Sequence, residues 1–217
     1  MQSRKLFHAL SAIAALAFAT VASAQLQYRV TVDTSSLVAN PNGPFSLDFQ
    51  LNDGSAVGDG NNSATLGNFQ FGGGSGWGAI GTYGGAAGSF ASGITLSDTD
   101  PLLNEFYQGF VPGNSLSFDL TLTSNAELGD TPDIFSFAIL DGALMNLPTL
   151  SFGSDQFVEI NLGDASPAVA TFTSVDGLIT VTASAVPEPS TYGLLAAGLM
   201  ALAIVGRRVR NGQRARS

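Results

Sequence analysis

The chemistry open to this chain is limited first by the residue types that it lacks. Its only histidine is His8, its only lysine is Lys5, and it contains no cysteine. Both residues fall in an N-terminal stretch that we expect to be removed. The remaining domain therefore cannot build a Ser-His-Asp triad, a Cys-His pair, a lysine Schiff base or a histidine-rich zinc site.

Carboxylates are the one catalytic resource left. Two of them could hydrolyse a glycosidic bond if they lay about 5 or 9 Å apart. The candidates are Glu105, Glu127 and Glu159. Nothing in their spacing selects a pair, and a charged residue on the outer face of a strand is usually only solvated. We therefore assign no catalytic residue and expect no enzymatic activity, with a carboxylate-based glycan hydrolase as the alternative.

Calcium is the one metal for which the sequence offers ligands, because Ca²⁺ is bound by carboxylate, amide and main-chain oxygens. The candidate ligands are Asp53, Asp59, Asp98 and Asp100, which stand in turns rich in Asn, Gly and Ser. Their spacing fits no EF-hand, and Asp, Asn and Gly are also the residues that ordinary turns use. A calcium site and plain acidic turns are both open, and no other cofactor is expected.

A glycine-rich segment carries the side chains that could stack on a sugar. Nine glycines fall within residues 72–88, where Trp77 and Tyr83 are the only aromatic residues. We predict a flexible loop here, with a weak strand around residues 79–83. Its aromatic pair either stacks on a pyranose ring of a glycan or packs down to hold the loop in place.

The elements that position these side chains are predicted to be β-strands. Apolar and polar residues alternate in residues 26–32, 45–51, 116–122 and 158–162, which indicates strands buried on one face. Residues 134–140 are apolar on both faces, as in a central strand. Weaker patterns predict further strands near residues 65–71, 89–97, 105–111, 168–174 and 178–184.

The breaks between these segments contain Asn-Gly and Asp-Gly turns, and Asp176-Gly177 is the strongest hairpin signal. About ten short strands at this spacing predict an all-β domain. The expected fold over residues 25–185 is an antiparallel two-sheet β-sandwich of jelly-roll type, with no amphipathic helix.

The charge of this domain limits its partners. Residues 25–185 contain 16 acidic residues and one basic residue, Arg29, so the net charge is 1 − 16 = −15. Such a surface repels nucleic acid and anionic lipid, and its natural counterparts are cations. With no cysteine, the domain depends on its hydrophobic core rather than on disulfides.

Residues 186–217 combine a polar motif, a short apolar run and a basic tail. The motif is Val186-Pro187-Glu188-Pro189-Ser190, whose prolines keep the chain extended and accessible. A transmembrane helix is predicted at about residues 191–206, and it would cover only about 25 Å of a hydrocarbon core roughly 30 Å thick. The tail, residues 207–217, begins with Arg207, Arg208 and Arg210, which place the C-terminus in the cytoplasm.

The motif, the apolar run and Arg207-Arg208, in this order at the chain end, resemble the PEP-CTERM sorting signal of Gram-negative bacteria. This resemblance implies recognition in the inner membrane by an exosortase, a membrane protease that removes the tail. It also implies an association with exopolysaccharide and biofilm. Strand segments such as residues 31–37, 47–50 and 106–110 resemble PEP-CTERM proteins of unassigned function.

Residues 1–24 have the layout of a secretory signal peptide. Arg4 and Lys5 precede an apolar stretch, and Ala22-Ser23-Ala24 forms a small-residue cleavage site. The secretory translocon is therefore an expected partner, and the absence of cysteine excludes a lipoprotein. We expect transient anchoring in the inner membrane with the domain in the periplasm. The expected product is a non-catalytic protein of the cell surface or extracellular matrix, or else a passive matrix component.

Overall fold

The computed structural model describes residues 25–54, 56–125, 131–162 and 167–186, together with Gly198. The predicted signal peptide, the motif beyond Val186, the membrane helix apart from Gly198, and the basic tail lie outside these residues. Within the described residues no helix has the length and apolar character needed to cross a membrane.

The described residues form twelve β-strands and one short 3-10 helix, η1 (Ser35–Leu37). The strands are β1 (Gln25–Asp33), β2 (Phe45–Asn52), β3 (Ser63–Gln70), β4 (Ser75–Tyr83), β5 (Gly85–Ser89), β6 (Gly93–Ser97), β7 (Asn104–Val111), β8 (Ser115–Thr123), β9 (Ile134–Leu140), β10 (Val158–Asn161), β11 (Val169–Thr171) and β12 (Val181–Ala185).

Two six-stranded sheets contain these strands. Sheet A has the order β12-β1-β8-β3-β6-β5, and sheet B has the order β11-β10-β9-β2-β7-β4. Every pairing is antiparallel. The predicted all-β, two-sheet antiparallel architecture is confirmed. The nested pairing of β1 with β8, β2 with β7 and β3 with β6 is consistent with the jelly-roll type.

A core of phenylalanine side chains joins the two sheets. The ring of Phe49 on β2 meets that of Phe118 on β8 edge-on, with centroids 5.3 Å apart, and stacks on Phe137 of β9 at 5.1 Å. All three side chains are fully buried. Each such aromatic contact contributes about 0.5–1.5 kcal/mol beyond the burial of apolar area.

The period-two pattern correctly predicts the burial of β8, where Leu116, Phe118, Leu120 and Leu122 are buried and their neighbours are not. It is wrong for β2. That strand was predicted to be buried on one face, yet Ser46 and Asp48 on its polar face are buried as well. A central place in the sheet does not explain this difference, because β8 between β1 and β3 is as central as β2 between β9 and β7.

The glycine-rich segment is not a loop. Its residues form β4, which pairs with β7, and β5, which pairs with β6, so only the weak strand predicted at residues 79–83 was right. Side chains would prevent these pairings. A Cβ on Gly74 would lie 1.9 Å from the Val111 carbonyl oxygen, and one on Gly85 would lie 2.1 Å from that of Ser97.

The turn predicted at Asp176-Gly177 forms, and the Ser174 amide donates to the Ile179 carbonyl oxygen at 3.0 Å. It does not close a hairpin between neighbouring strands. β11 before it belongs to sheet B and β12 after it belongs to sheet A, so this turn passes the chain from one sheet to the other.

Candidate functional site

Three aromatic side chains share the outer face of sheet B, the face turned away from the core. Because side chains alternate along β7, Phe106 and Phe110 enter the core while Glu105, Tyr107 and Gly109 face outward. The Tyr107 ring lies against Gly81 of β4, where an added Cβ would be 2.2 Å from its Cζ atom.

Trp77 and Tyr83, both on β4, belong to the same outer face. Trp77 stands in an irregularity of the β4–β7 ladder, and its ring lies over Gly109. Tyr83 stands opposite Glu105 in the register. We call Trp77, Tyr83 and Tyr107 the aromatic face.

The two rings identified from the sequence are accessible on a strand. Trp77 is 54% exposed and Tyr83 is 55% exposed. Trp77 also lines a cleft of about 220 Å³ with Ala39, Pro44 and Pro112. Gly109 and Glu105 are four positions apart on β7, so the aromatic face extends over about 13 Å at the usual rise of a strand.

An acidic pair lies beside this face. The side-chain amide of Gln50 on β2 donates to Asp48 Oδ2 at 2.7 Å and to Glu105 Oε1 at 3.2 Å. Burial, together with the charge of Glu105, raises the pKa of Asp48 to about 7. Asp48 Oδ1 is buried and has no hydrogen-bond partner among the described residues. Ionisation of Asp48 is therefore disfavoured in this position.

The other carboxylates proposed for hydrolysis are not brought to this pair. Glu159 lies on β10 and accepts a hydrogen bond from the Ser154 hydroxyl. Glu127 lies outside the described residues. Asp48 and Glu105 share one amide donor and contact each other, whereas glycosidase carboxylates stand about 5 Å or more apart around the sugar.

Sequence reasoning missed Asp48. The alternation along β2 placed it on the polar face, but its contact with Glu105 depends on the register between β2 and β7, which pairs Asp48 with Tyr107 and Gln50 with Glu105. Asp48 is one of four polar residues that alternate along β2, with Ser46, Gln50 and Asn52, so no local signal singles it out.

The calcium candidates all lie in loops at one end of the sandwich, which we call the loop end. Three of them accept hydrogen bonds from main-chain amides of their own turns. Asp53 accepts from Ala56 at 2.8 Å, Asp59 from Asn61 at 3.1 Å, and Asp100 from Leu102 at 3.0 Å. These contacts are typical of acidic turns.

Asp98 differs, because its partners come from other loops. Its Oδ2 accepts from the Asn62 amide at 3.1 Å, and its carboxyl lies within hydrogen-bonding reach of Asp133. Asp133, which sequence reasoning missed, accepts from the Gly54 amide and from Asn62 Nδ2, each at 3.0 Å. Asp98 and Asp133 are fully buried.

Burial raises the pKa of Asp98 to about 7, and the neighbouring Asp133 and Asp59 carboxyls add to this effect. Among the described residues, no group of three or more carboxylate or histidine side chains has an arrangement that would hold a metal ion. The structure therefore joins Asp98 to Asp133.

The first residue of the sorting motif lies at the same end of the sandwich. The Val186 amide donates to the Gln27 carbonyl oxygen at 2.7 Å, which holds the chain beside β1 just after β12 ends. The residues that follow leave the domain next to its N-terminal strand. In sheet A, three strands, β1, β8 and β3, separate β12 from β6, after which Asp98 follows.

Comparison with known families finds one match. The model of the PEP-CTERM protein-sorting motif matches residues 185–209. Neither the curated proteins nor the solved structures contain a match to this chain. The predicted resemblance at the C-terminus is confirmed.

Proposed function

We propose that this PEP-CTERM protein is a non-catalytic protein of the cell surface or extracellular matrix whose β-sandwich binds exopolysaccharide. The observation that carries the proposal is the sorting motif at residues 185–209, which begins where β12 ends. The motif implies export and processing by an exosortase, a membrane protein, on the way to the cell surface. The remainder of the proposal concerns what the domain does there.

Export through the translocon would begin with the signal peptide, residues 1–24, cut after Ala24. The helix at about residues 191–206 would then hold the domain in the periplasm, with Arg207, Arg208 and Arg210 on the cytoplasmic side. Because this helix is short for a bilayer, the anchoring is transient and ends when the exosortase cuts near Pro187-Glu188-Pro189.

Three features of the aromatic face support glycan binding. Two of its rings, Trp77 and Tyr83, are exposed on a paired strand, which holds them in place better than a loop would. They extend over about 13 Å, a length that admits more than one sugar ring. Glu105 and Gln50 beside them supply hydrogen-bond partners for hydroxyl groups.

The charge of the domain selects among glycans. With a net charge of −15 over residues 25–185, the domain repels uronic-acid-rich and sulfated polymers. The ligand class that fits is a neutral or amino-sugar polysaccharide. Catalysis is not part of the proposal, because the one described acidic pair beside the aromatic face, Asp48 with Glu105, is too closely joined to flank a sugar.

The sorting half is tested by the intact mass of the extracellular protein in strains with and without the exosortase. We expect a product that starts at Gln25 and ends near Pro189 only where the protease is present. A full-length chain ending at Ser217 in both strains would contradict the proposed route.

The binding half is tested by affinity electrophoresis in gels that contain the producer's own exopolysaccharide. The polysaccharide should retard the wild type. Trp77→Ala and Tyr83→Ala should each weaken the apparent affinity at least fivefold and so restore the mobility. Phe152→Ala is the matched control, because Phe152 is a fully exposed aromatic residue on the loop between β9 and β10 and does not belong to the aromatic face.

Equal retardation of all four proteins would contradict glycan binding at the aromatic face and would favour a passive matrix component. Release of reducing sugar by the wild type, lost in Glu105→Gln, would instead favour the hydrolase.

A further inference from the structure

The loop between β9 and β10 has polar side chains buried and apolar side chains exposed. Thr149 and Ser151 are buried, and their hydroxyl groups share a hydrogen bond of 2.8 Å. The Gln156 amide donates to Ser151 Oγ, and Thr149 Oγ1 donates to the Gln156 carbonyl oxygen, each at 3.0 Å. Leu150 and Phe152 stand beside the buried Ser151, and Phe152 is 104% exposed. The hydrogen bonds of this loop therefore hold two apolar side chains out in solvent.

The turn that precedes β12 extends this apolar surface. The Leu150 amide donates to the Thr173 carbonyl oxygen at 2.9 Å, and the Val175 amide donates to that of Pro148 at 3.0 Å, so the loop and the turn are joined. Their exposed apolar side chains lie at the end of the sandwich opposite the loop end. We call these residues the apolar end: Leu144, Met145, Leu150, Phe152, Val175 and Leu178. An exposed apolar patch of more than a few hundred Å² marks an interaction surface.

An apolar cleft lies on the same surface. Its volume is about 290 Å³, and Leu37, Phe45, Pro148 and Leu178 are among the residues that line it. Pro148 belongs to the loop that carries Phe152. A closed apolar cavity of about 150 Å³ already admits benzene, so this cleft has room for a phenyl ring. One surface of the chain thus carries both a projecting ring and a cavity that fits it.

We infer that the apolar end binds a second copy of this chain, with Phe152 of each copy seated in the cleft of the other. Because the ring and the cleft lie on one surface, the exchange closes around a two-fold axis and gives a dimer rather than a filament. The six side chains expose on the order of 700 Å² per copy, so a pair that covers most of them buries about 1,200 Å², the lower limit of a stable interface.

A contact of this size makes a weak dimer. The expected dissociation constant is on the order of 10–100 μM. At concentrations well below this constant, as in affinity electrophoresis, the protein is monomeric, and Phe152→Ala stays a valid control for the aromatic face. The dimer depends neither on glycan binding nor on the exosortase, so it can fail or hold independently of both.

Charge favours a second copy over a lipid surface. Segments that lie on a bilayer gain from Lys and Arg at the headgroups. The only basic residue between Gln25 and Val186 is Arg29, whose guanidinium donates to Asp119 Oδ1 at 2.7 Å. A flat bilayer would also leave the cleft unfilled. Because each copy carries many negative charges, salt that screens their repulsion should strengthen the dimer.

The test uses the full chain in producing cells, where the absence of cysteine lets one introduced thiol report on one surface. Val175→Cys places the thiol in the apolar end and Val57→Cys places it at the loop end. The two valines are 61% and 60% exposed. A short bismaleimide, which joins two thiols, should give a cross-linked dimer with Val175→Cys and at least fivefold less with Val57→Cys. Suspension of the cells in about 0.3 M rather than 0.05 M NaCl should increase the dimer.

A second substitution tests the role of the projecting ring. Phe152→Asp in the Val175→Cys chain should lower the cross-linked fraction at least fivefold. Leu102→Asp, at an exposed position of the loop end, should leave that fraction unchanged. Both positions are exposed, so neither change should unfold the domain.

Three results would overturn the inference: no cross-linked dimer with Val175→Cys, equal cross-linking with Val57→Cys, or a dimer that survives Phe152→Asp. Flotation of the released protein with phosphatidylcholine vesicles separates the alternative occupant. Flotation that Phe152→Asp abolishes, without any cross-linked dimer, would assign the apolar end to a membrane instead.

Discussion

The indole of Trp77 lies across Gly109 of the neighbouring strand, so closely that a Cβ at position 109 would stand 2.8 Å from Trp77 Cε3 and 2.9 Å from the Trp77 carbonyl oxygen. The glycine on β7 thus makes room for the ring and for the irregular stretch of β4 that carries it. Tyr107 and Gly81 repeat the relationship with the strands exchanged. The positions of two rings of the aromatic face are therefore set by the glycines opposite them.

Gly109→Ala should displace the Trp77 ring and destabilise the domain by about 1–3 kcal/mol, the usual cost of an added methyl group in a packed site. Because Trp77 is the only tryptophan, intrinsic fluorescence reports on this site alone. We expect a shifted emission maximum in the folded state and a lower midpoint of urea unfolding.

Gly67→Ala is the control for this experiment, since a Cβ there meets nothing within 4 Å. It should leave both the emission maximum and the midpoint nearly unchanged. Unchanged fluorescence in Gly109→Ala would show that the ring does not depend on the glycine beneath it.

Asp48→Asn should raise stability at neutral and alkaline pH. Burial raises the pKa of Asp48 from its ordinary value of 3.8 to about 7 in the folded protein, so the folded state keeps a proton that the unfolded chain loses. Stability therefore falls as pH rises from about 4 to about 7, by an amount on the order of a few kcal/mol. The asparagine cannot lose a proton, and this part of the decline should disappear.

Urea unfolding of wild type and Asp48→Asn from pH 4 to pH 8 measures this difference. Asp141→Asn is the control, because Asp141 lies in an exposed turn. There its carboxylate accepts hydrogen bonds from the main-chain amides of Ala143 and Met145. Parallel stability profiles for wild type and Asp48→Asn would show that Asp48 is ionised throughout.

Phe49→Ala should cost about 3–5 kcal/mol, because removal of a fully buried ring leaves a cavity between the sheets. Phe49 contacts Phe69 and Phe118 of sheet A and Phe137 of its own sheet, so no single neighbour can fill the space. The measurement is the free energy of unfolding in urea. Leu102→Ala, at an exposed loop position, should change it by less than about 0.5 kcal/mol.

The sequence predicted those features that a single strand or a single motif can reveal. The alternation of Leu116, Phe118, Leu120 and Leu122 showed which face of β8 is buried, because each side chain's neighbours along one strand carry that information. The sorting motif was equally local. The glycine-rich segment was misread because its strand character comes from pairing with β7 and not from its own residues, which have low β-propensity.

The candidate sites could be predicted only in part, for the same reason. Trp77 and Tyr83 were visible as the aromatic residues of their segment. Asp48 and Glu105 are 57 positions apart, and Asp98 and Asp133 are 35 positions apart, so each pair depends on strand register and loop approach. No local rule of spacing brings such carboxylates together.

The last prediction concerns Asn62, which is buried and joins three loops through its amide and main chain. Its Nδ2 donates to Asp133 Oδ2 at 3.0 Å, its Oδ1 accepts from the Asn125 amide at 2.8 Å, and its own amide donates to Asp98. Asn62→Ala would leave the buried Asp133 carboxyl and the Asn125 amide short of a partner. We expect a loss of about 2–4 kcal/mol, measured by urea unfolding. Asn146→Ala, which removes one exposed hydrogen bond to the Ser154 carbonyl oxygen, should cost less than about 1 kcal/mol. Equal losses in the two variants would show that the loop end is not held together through Asn62.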